Sequence, residues 1–235
     1  MKQLALDFAP ASPPTLDNFV SGRNAELTQN LRKIAARDAG ERFIYLWGAP
    51  GSGRSHLLRG LTAAVRGAGA SAAYIACAGD TRFADGVERV ACVAVDDVEL
   101  LGEDAQVALF HLYNALRERR GALVASGDAP PVQLGMRQDL VTRLGWGLVY
   151  QVHALSDEEK TLALKGHAAA RGFRLPDEVC AYLLTRVRRD MPSLLAMLDA
   201  LDRHSLEAKR PITVALAREL LLATKGQDSG SRIED

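Results

Sequence analysis

The chain has 235 residues, of which 48% are hydrophobic, enough for one large or two small packed domains. Lysine plus arginine and aspartate plus glutamate both number 29, so the net charge is zero. This balance disfavours direct DNA binding as the main function, although it allows a local basic patch. The three cysteines lie apart in apolar runs, which predicts buried thiols in a reducing compartment. With no signal peptide and no membrane-spanning apolar run, we expect a cytoplasmic protein.

Residues 1–14 are predicted to be a flexible segment before the fold, because Pro10, Pro13 and Pro14 interrupt any regular element. The segment begins with apolar residues at alternate positions, in the run Gln3-Leu4-Ala5-Leu6-Asp7-Phe8. An extended peptide of this kind can insert its apolar side chains into a groove of a partner protein. The alternatives are a frayed terminus and a first strand.

A strand predicted over residues 43–47 is followed by a glycine-rich turn and an apolar helical pattern to about Gly67. The turn fits the phosphate-binding loop G-x-x-x-x-G-K-[ST] except for arginine in place of lysine, in the run Gly48-Ala49-Pro50-Gly51-Ser52-Gly53-Arg54-Ser55. Glycines let backbone N–H groups surround phosphate oxygens, the helix N-terminus attracts the anion, and Ser55 can offer its hydroxyl to Mg²⁺. We therefore predict nucleotide binding, with hydrolysis in doubt because a guanidinium is bulkier than an ammonium. The alternative is a turn without a ligand.

A helix predicted over residues 27–37 precedes this strand. Side chains just before a phosphate-loop strand often line a pocket for the base, and Phe19 and Val20 are in this region. Plain surface packing is the alternative.

Two carboxylates, Asp96 and Asp97, follow a continuous apolar run over residues 90–95. Such a run is typical of a strand in a parallel sheet covered on both faces, and ligands bind at the carboxyl ends of such strands. We expect Asp96 to hold Mg²⁺ through water and Asp97 to orient an attacking water. The alternative is that the two acids cap a strand-to-helix turn.

Further strands are predicted over residues 72–76, 122–126 and 148–152, and further helices over 103–119 and 140–144. The loop Gly127-Asp128-Ala129-Pro130-Pro131 ends the strand at Ser126. Ser126 and Asp128 could reach a γ-phosphate there, although turn chemistry alone also explains them. The short helix over residues 140–144 carries Arg143.

From Ser156 onward the pattern predicts only helices. Ser156 and Glu159 form a capping box, and the next three helices open near Pro176, Pro192 and Thr213. We therefore expect an α/β domain over residues 15–153, a helical domain over 154–224 and a polar, disordered tail over 225–235.

The chain resembles the DnaA-like AAA+ family, on motifs that together cover about residues 3–224. The shared motifs are Phe19-Val20-Ser21-Gly22, Asp96-Asp97, the run Leu-Val-Thr-Arg-Leu-Gly-Trp-Gly over 140–147, and Gly172-Phe173-Arg174-Leu175-Pro176. The phosphate loop with His56, the loop with Asp128 and the Gln3–Phe8 peptide are most similar to the family members that inactivate the initiator DnaA. The resemblance implies an AAA+ P-loop domain, with a parallel sheet flanked by helices, followed by a smaller all-helical lid domain.

The resemblance also implies a function. Such regulators bind ADP (or ATP, with Mg²⁺) and dock on the DNA-loaded sliding clamp, the β subunit of DNA polymerase III. There they promote ATP hydrolysis by DnaA and prevent re-initiation. Their contact with DNA is mainly indirect, through the clamp. Gln3, Leu4, Leu6 and Phe8 would bind the clamp, and Arg143 would act in trans as an arginine finger. Nucleotide-dependent self-association stays open.

One position departs from the family pattern. Pro192 stands where the second sensor arginine of the family lies. Because of Pro192 and Arg54, we expect slow turnover of bound nucleotide, if any. Arg188 or Arg189, just upstream, could substitute. The alternatives are an AAA+ ATPase of the helicase-loader type that hydrolyses its own ATP, a small-molecule kinase, and an adaptor that only tethers a protein to the clamp.

Overall fold

The computed structural model describes residues 13–188 and 190–228, with side chains described up to residue 223. These residues belong to two compact units, one over Pro14–Ala154 and one from Leu155 onward. No helix within the described ranges is long and apolar enough to cross a bilayer.

The first unit is built on a parallel sheet. Within the described residues it has five strands in the spatial order β2-β3-β4-β1-β5, namely β1 (Phe43–Trp47), β2 (Ala72–Ala76), β3 (Cys92–Asp96), β4 (Ala122–Gly127) and β5 (Leu148–Gln151). Helices flank the sheet: α1 (Ala25–Ala36), α2 (Arg54–Gly67), α3 (Glu103–Glu118) and α4 (Gln138–Leu144). The predicted fold class, a parallel sheet flanked by helices, is confirmed.

The two faces of the sheet have separate apolar cores. Along β1, Phe43 and Tyr45 pack on one face with residues of α3 and α4, whereas Ile44 and Leu46 pack on the other with residues of α1 and α2. β3 is buried throughout for the same reason. Because both faces are covered, strands of such a sheet read as continuous apolar runs rather than alternating ones.

The parallel arrangement gives the sheet two chemically different edges. β1, β3 and β4 end at the carboxyl edge with Trp47, Asp96 and Gly127, and Trp47 pairs with Gly127 in register. The candidate site residues that follow these strands therefore meet at one edge. The opposite, amino edge receives the C-termini of α1, α2 and α3, because each of these helices runs back to the start of the next strand.

The second unit is entirely helical in the described residues. Its helices are α5 (Asp157–Ala170), α6 (Asp177–Arg186), α7 (Met191–Ala208) and α8 (Val214–Asp228), around an apolar core that includes Leu164, Leu183, Leu198 and Leu216. The predicted capping box is present: Glu159 N–H donates to Ser156 Oγ at 3.2 Å, and Ser156 N–H donates to the Glu159 carboxylate at 2.8 Å. α8 continues past the expected end near Thr224 to Asp228.

Candidate functional site

The phosphate loop connects β1 to α2 at the carboxyl edge of the sheet. Gly51 (φ +79°) and Gly53 (φ +105°) are in the left-handed region that side chains disfavour, and a Cβ on Gly48 would lie 2.6 Å from the carbonyl oxygen of Val152. The hydroxyl of Ser52 is buried and has no hydrogen-bond partner among the described residues. A buried hydroxyl is costly to leave unpaired, so this loop has an unmet polar group beside the N-terminus of α2.

The cation of the loop is tied to an acid from β3. A guanidinium nitrogen of Arg54 lies 3.1 Å from Oδ1 of Asp97, and the Arg54 side chain is only 10% exposed. Its Nη1 atom is buried without a hydrogen-bond partner in the described part of the chain. Burial and the adjacent Asp96 raise the pKa of Asp97, and Arg54 opposes this shift. The loop therefore has a buried cation with free donor capacity.

Asp96 is held by the neighbouring strands. Ser126 on β4 donates to its Oδ1 at 2.5 Å, and the Tyr74 hydroxyl on β2 donates to its Oδ2 at 2.6 Å. Asp97 N–H in turn donates to Ser126 Oγ at 3.1 Å. Burial and Asp96 raise the pKa of Tyr74 to about 12, so the phenol keeps its proton. Ser126, expected as a group that reaches a γ-phosphate, is fully buried and bridges the two aspartates instead.

Further carboxylates surround this edge. Asp128 is exposed on the loop after β4, and Glu99, which follows Asp97, has a buried carboxylate oxygen without a partner in the described ranges. Burial and the nearby acids Asp97 and Asp128 raise the pKa of Glu99. Tyr45 fixes the Asp128 loop, since its hydroxyl donates to the carbonyl of Ala129 at 2.9 Å. The described side chains contain no group of three or more His, Cys, Asp or Glu placed to hold a metal ion.

The segment before α1 covers the start of α2. His56 Nε2 lies 3.0 Å from the carbonyl oxygen of Thr15 and 2.8 Å from Oδ1 of Asn18, and burial lowers the pKa of the imidazole. The Phe19 ring packs against His56 at 5.5 Å between centroids, and a Cβ on Gly53 would lie 2.8 Å from it. Phe19 and Val20 are half-buried. The predicted base-pocket residues Phe19 and Val20 thus belong to a segment that packs over the phosphate loop.

Arg143 is at the other end of the sheet. It is in the last turn of α4, and the chain enters β5 at its amino end directly after Trp146–Gly147. Gly147 packs directly against the carbonyl of Phe43, the first residue of β1, whereas the phosphate loop follows the last residue of β1. The Arg143 guanidinium stacks on the Trp146 ring at 3.8 Å from the centroid and lies 5.5 Å from the Phe110 ring centroid. It makes no ion pair with a carboxylate in the described residues.

The remaining predicted site residues lie in the helical unit or outside the described residues. Gln3, Leu4, Leu6 and Phe8 lie outside the described residues. In the helical unit Pro192 is in the first turn of α7, where Asp190 accepts a hydrogen bond from Ser193 N–H at 2.9 Å. Arg188 is tied to Asp190 by an ion pair of 3.2 Å, and Arg189 lies outside the described residues.

Sequence reasoning missed Tyr74, Glu99 and Trp146 as members of these clusters. Tyr74 carries no local pattern that singles it out, because its hydrogen bond to Asp96 depends on strand order. Glu99 follows Asp97 in the chain, but its proximity to Asp128 depends on the position of the loop after β4. Trp146 had a signal, since it lies within the motif that carries Arg143 and an aromatic ring close to an arginine can form a cation–π stack.

Two family models match the chain. The model described as the bacterial DnaA ATPase domain matches residues 75–151, and the model described as the lid domain of Hda matches residues 157–221. The first match covers β3, the two aspartates and Arg143, and the second covers most of the helical unit.

Solved structures share the fold. Domain III of the Thermotoga maritima replication initiation protein DnaA is 22% identical with a TM-score of 0.68, over 95% of this chain and 98% of that one. The replication initiator DnaA bound to AMPPCP and single-stranded DNA is 20% identical with a TM-score of 0.67, over 83% of this chain and 66% of that one. The chain therefore spans about two thirds of that initiator's length. A Thermotoga maritima RuvB variant is 15% identical with a TM-score of 0.62, over 90% of this chain and 72% of that one.

The chain therefore combines a segment that matches the bacterial DnaA ATPase domain with a helical unit that matches the lid domain of Hda, on a fold shared with DnaA structures.

Proposed function

We propose that this protein regulates the initiation of chromosome replication. It binds ADP or ATP in its own phosphate loop, docks on the sliding clamp and stimulates ATP hydrolysis by the initiator DnaA with Arg143 as an arginine finger in trans. The cytoplasm is the proposed location, and contact with DNA is mainly indirect, through the clamp. The match of residues 157–221 to the lid domain of Hda supports this class of regulator over other AAA+ functions.

The observation that carries the proposal is the position of Arg143 relative to the phosphate loop of the same unit. The two lie at opposite ends of β1, whose five residues span about 16 Å. Arg143 is therefore too far away to contact a nucleotide in its own loop. Since it also has no carboxylate partner in the described residues and is stacked on Trp146, it is a preorganised cation available to another molecule.

The loop itself supports nucleotide binding. Gly51 and Gly53 allow the backbone turn, and the unpartnered Ser52 hydroxyl and Arg54 nitrogen are donors for phosphate oxygens. The relative described as DnaA bound to AMPPCP and single-stranded DNA has the same fold. Phe19 and Val20 are the proposed contacts of the base, with His56 holding their segment against α2.

On the side of the site formed by Asp96, the residues present could hold Mg²⁺ only through bound water. Each Asp96 oxygen already accepts one hydrogen bond and keeps one further acceptor site, whereas the Ser55 hydroxyl is half-buried at the start of α2. Bound Mg²⁺ would neutralise phosphate charge there. Arg54 and Asp97 are engaged with each other, and Pro192 replaces the lid arginine of the family, so we propose a nucleotide that is held rather than rapidly hydrolysed.

The clamp contact is proposed from the Gln3–Phe8 pattern, which lies outside the described residues. Gln3 supplies an amide, and Leu4, Leu6 and Phe8 supply the apolar anchors of an extended peptide.

The test is hydrolysis of initiator-bound ATP, reconstituted with DNA-loaded clamp and this protein. We expect Arg143→Ala to lose the stimulation, because arginine fingers contribute on the order of 10³–10⁵ in rate. The matched control is Arg137→Ala at the N-cap of the same helix, since Arg137 is engaged with Asp139 at 2.8 Å and the variant should keep full stimulation. The double variant Gln3→Ala and Phe8→Ala should also lose the stimulation, in this case because it no longer binds the clamp.

The proposal fails if Arg143→Ala stimulates the initiator as the native protein does. Rapid hydrolysis by the purified chain alone would favour a helicase-loader type of ATPase. Stimulation without the clamp would remove the docking step from the proposal.

A further inference from the structure

A groove of about 370 Å³ opens at the amino edge of the sheet, away from the phosphate loop. It lies where the ends of α1, α2 and α3 meet the starts of β2, β3 and β4. The groove is strongly basic, because its lining includes five arginines: Arg37, Arg42, Arg89, Arg119 and Arg120. A chain with zero net charge thus concentrates cations at one place.

Acidic residues offset only part of this charge. Asp38 and Glu88 also line the groove. Glu88 forms an ion pair with its sequence neighbour Arg89 at 3.4 Å, and the Arg89 side chain is 76% exposed. In the described ranges, Arg37, Arg119 and Arg120 make no ion pair with a carboxylate. The groove therefore retains guanidinium groups that are free to bind an anion.

The backbone at the groove is unusual. Arg37 (φ 60°) and Arg120 (φ 58°) are two of the four non-glycine residues with left-handed φ in the part of the chain that the structure describes. Left-handed φ is disfavoured for such residues, and glycine is the usual choice at these positions after a helix. Strained positions of this kind cluster at functional sites. A third one, Asp97, is beside the phosphate loop.

The chemistry of the lining indicates the class of ligand. The planar fork of arginine matches the oxygens of a phosphate. Among the described residues that line the groove, none is an aromatic side chain on which a nucleobase could stack. Single-stranded nucleic acid is bound largely by such stacking, whereas a duplex presents only its phosphates to a basic groove. We propose that this groove binds the phosphodiester backbone of duplex DNA, independently of the nucleotide site and of Arg143.

A structural explanation exists for part of the charge. The C-termini of α1 and α3 carry partial negative charge, which arginines such as Arg37 and Arg119 complement. Closure of these helix ends also accounts for the left-handed φ of Arg37 and Arg120, but this role needs no groove and predicts no affinity for DNA. The experiment below separates the two roles.

The test measures binding of a short fluorescent duplex of random sequence to the full chain between about 50 and 200 mM salt. Arg89→Gln combined with Arg119→Gln should weaken binding at least tenfold at the lower salt. It should also reduce the slope of log affinity against log salt by about 1.8, since each phosphate contact contributes about 0.9. Arg89 and Arg119 are chosen because both are exposed and make no backbone hydrogen bond with their side chains in the described residues.

The matched control is Arg174→Gln combined with Arg218→Gln, which removes the same charge from exposed positions in the helical unit. Its affinity and salt slope should equal those of the native protein. Glu88→Gln should tighten duplex binding, because it removes an acid from the groove lining without touching an arginine.

Three outcomes would overturn the proposal. The first is a native protein that does not bind the duplex at the lower salt, and the second is an equal loss in the control double variant. The third is single-stranded DNA or tripolyphosphate bound as tightly as the duplex. An acidic protein partner is indicated instead if the Arg89/Arg119 variant keeps duplex binding but loses stimulation of the initiator.

Discussion

Arginine in place of lysine in the phosphate loop changes which groups the loop cation contacts. The Arg54 side chain is only 10% exposed and reaches Asp97 after β3, whose side chain is 37% exposed. Asp97 has left-handed φ, a conformation that aims its short side chain back towards α2. A phosphate in the loop and the Asp97 carboxylate would then compete for one guanidinium. Asp97, which we expected to orient an attacking water, is thus paired with Arg54, which we expected to bind phosphate.

This competition predicts a pH dependence of nucleotide affinity. The pKa of Asp97 is raised, so it takes up a proton at a higher pH than the ordinary aspartate value of about 4. Protonation ends the ion pair and releases Arg54, and ADP affinity should therefore rise as the pH falls towards the pKa of Asp97. Calorimetry in buffers with different ionisation enthalpies should show proton uptake on ADP binding.

The matched variants for this prediction are two asparagines. Asp97→Asn should bind ADP more tightly at neutral pH and lose the proton uptake that Asp97 provides. Asp128→Asn removes a nearby exposed carboxylate that makes no ion pair with Arg54 among the described residues, so the uptake should persist. Equal uptake in the native protein and Asp97→Asn would contradict the competition.

At the scale of elements, β5 determines where Arg143 lies. It is the edge strand beside β1, and it is reached from α4 through the short turn Gly145-Trp146-Gly147. Close backbone contacts fix both ends of the β1–β5 pair: a Cβ on Gly147 would overlap the Phe43 carbonyl, and a Cβ on Gly48 would lie 2.6 Å from the Val152 carbonyl. Glycine at these positions allows β5 to approach β1 at hydrogen-bonding distance.

We therefore expect Gly147→Ala to destabilise the α/β unit by about 1–3 kcal/mol, the usual range for overpacking. The variant should also reduce the stimulation of DnaA that we assign to Arg143, because the turn that carries Trp146 must shift. The control is Gly145→Ala in the same turn, where φ is −83° and the nearest atoms to a Cβ lie 3.6 Å away. Urea unfolding should show a large effect for the first variant and little for the second, and similar values would refute the contact.

At the scale of the whole molecule, each unit has its own apolar core, and the spectroscopic probes are distributed unevenly. The two tryptophans, Trp47 and Trp146, both belong to the α/β unit. Tryptophan fluorescence therefore reports unfolding of that unit, whereas the far-ultraviolet helix signal reports both units. A ligand of the phosphate loop binds the folded α/β unit and stabilises it by mass action.

We expect ADP at about one hundred times its dissociation constant to stabilise the tryptophan-detected transition by about 2.7 kcal/mol. Gly53→Ala should abolish this effect, because Gly53 has φ +105° and a Cβ there would lie 2.8 Å from the Phe19 ring. Denaturant titrations followed by fluorescence, with and without ADP, provide the measurement. A native transition that does not move with ADP would argue against nucleotide binding in this loop.

Much of the local structure could be predicted from the sequence, because it depends on short-range physics. Apolar periodicity and turn residues placed strands β1 and β2 at their observed bounds, and the Ser156–Glu159 capping box is present. The differences are at element ends: β3 begins at Cys92 rather than Val90, after a short 3-10 turn at Val87–Arg89, and α4 begins at Gln138. The ends of helices and strands depend on tertiary packing, and local sequence patterns carry no information about that packing.

The site was only partly predictable. The carboxyl edge gathers Arg54, Asp97 and Asp128 as the strand-end argument anticipates, since parallel strands end on the same side. The partners of Asp96 were not foreseen, because the contacts from Tyr74 and Ser126 depend on β3 lying between β2 and β4. A strand order of this kind is set by long-range pairing.

The sequence by itself determined the family resemblance, the phosphate loop, the acids that follow β3 and the helical character of the last third, because each rests on residues close together in the chain. Only the tertiary structure determined at which edge of the sheet each arginine lies. Arg54 is held by Asp97 at the carboxyl edge, Arg143 is at the amino edge, and the arginines of the basic groove come together from positions 37–120. The physical reason is that parallel strands joined by helices return every helix C-terminus to the same side of the sheet, so residues far apart in sequence share one surface.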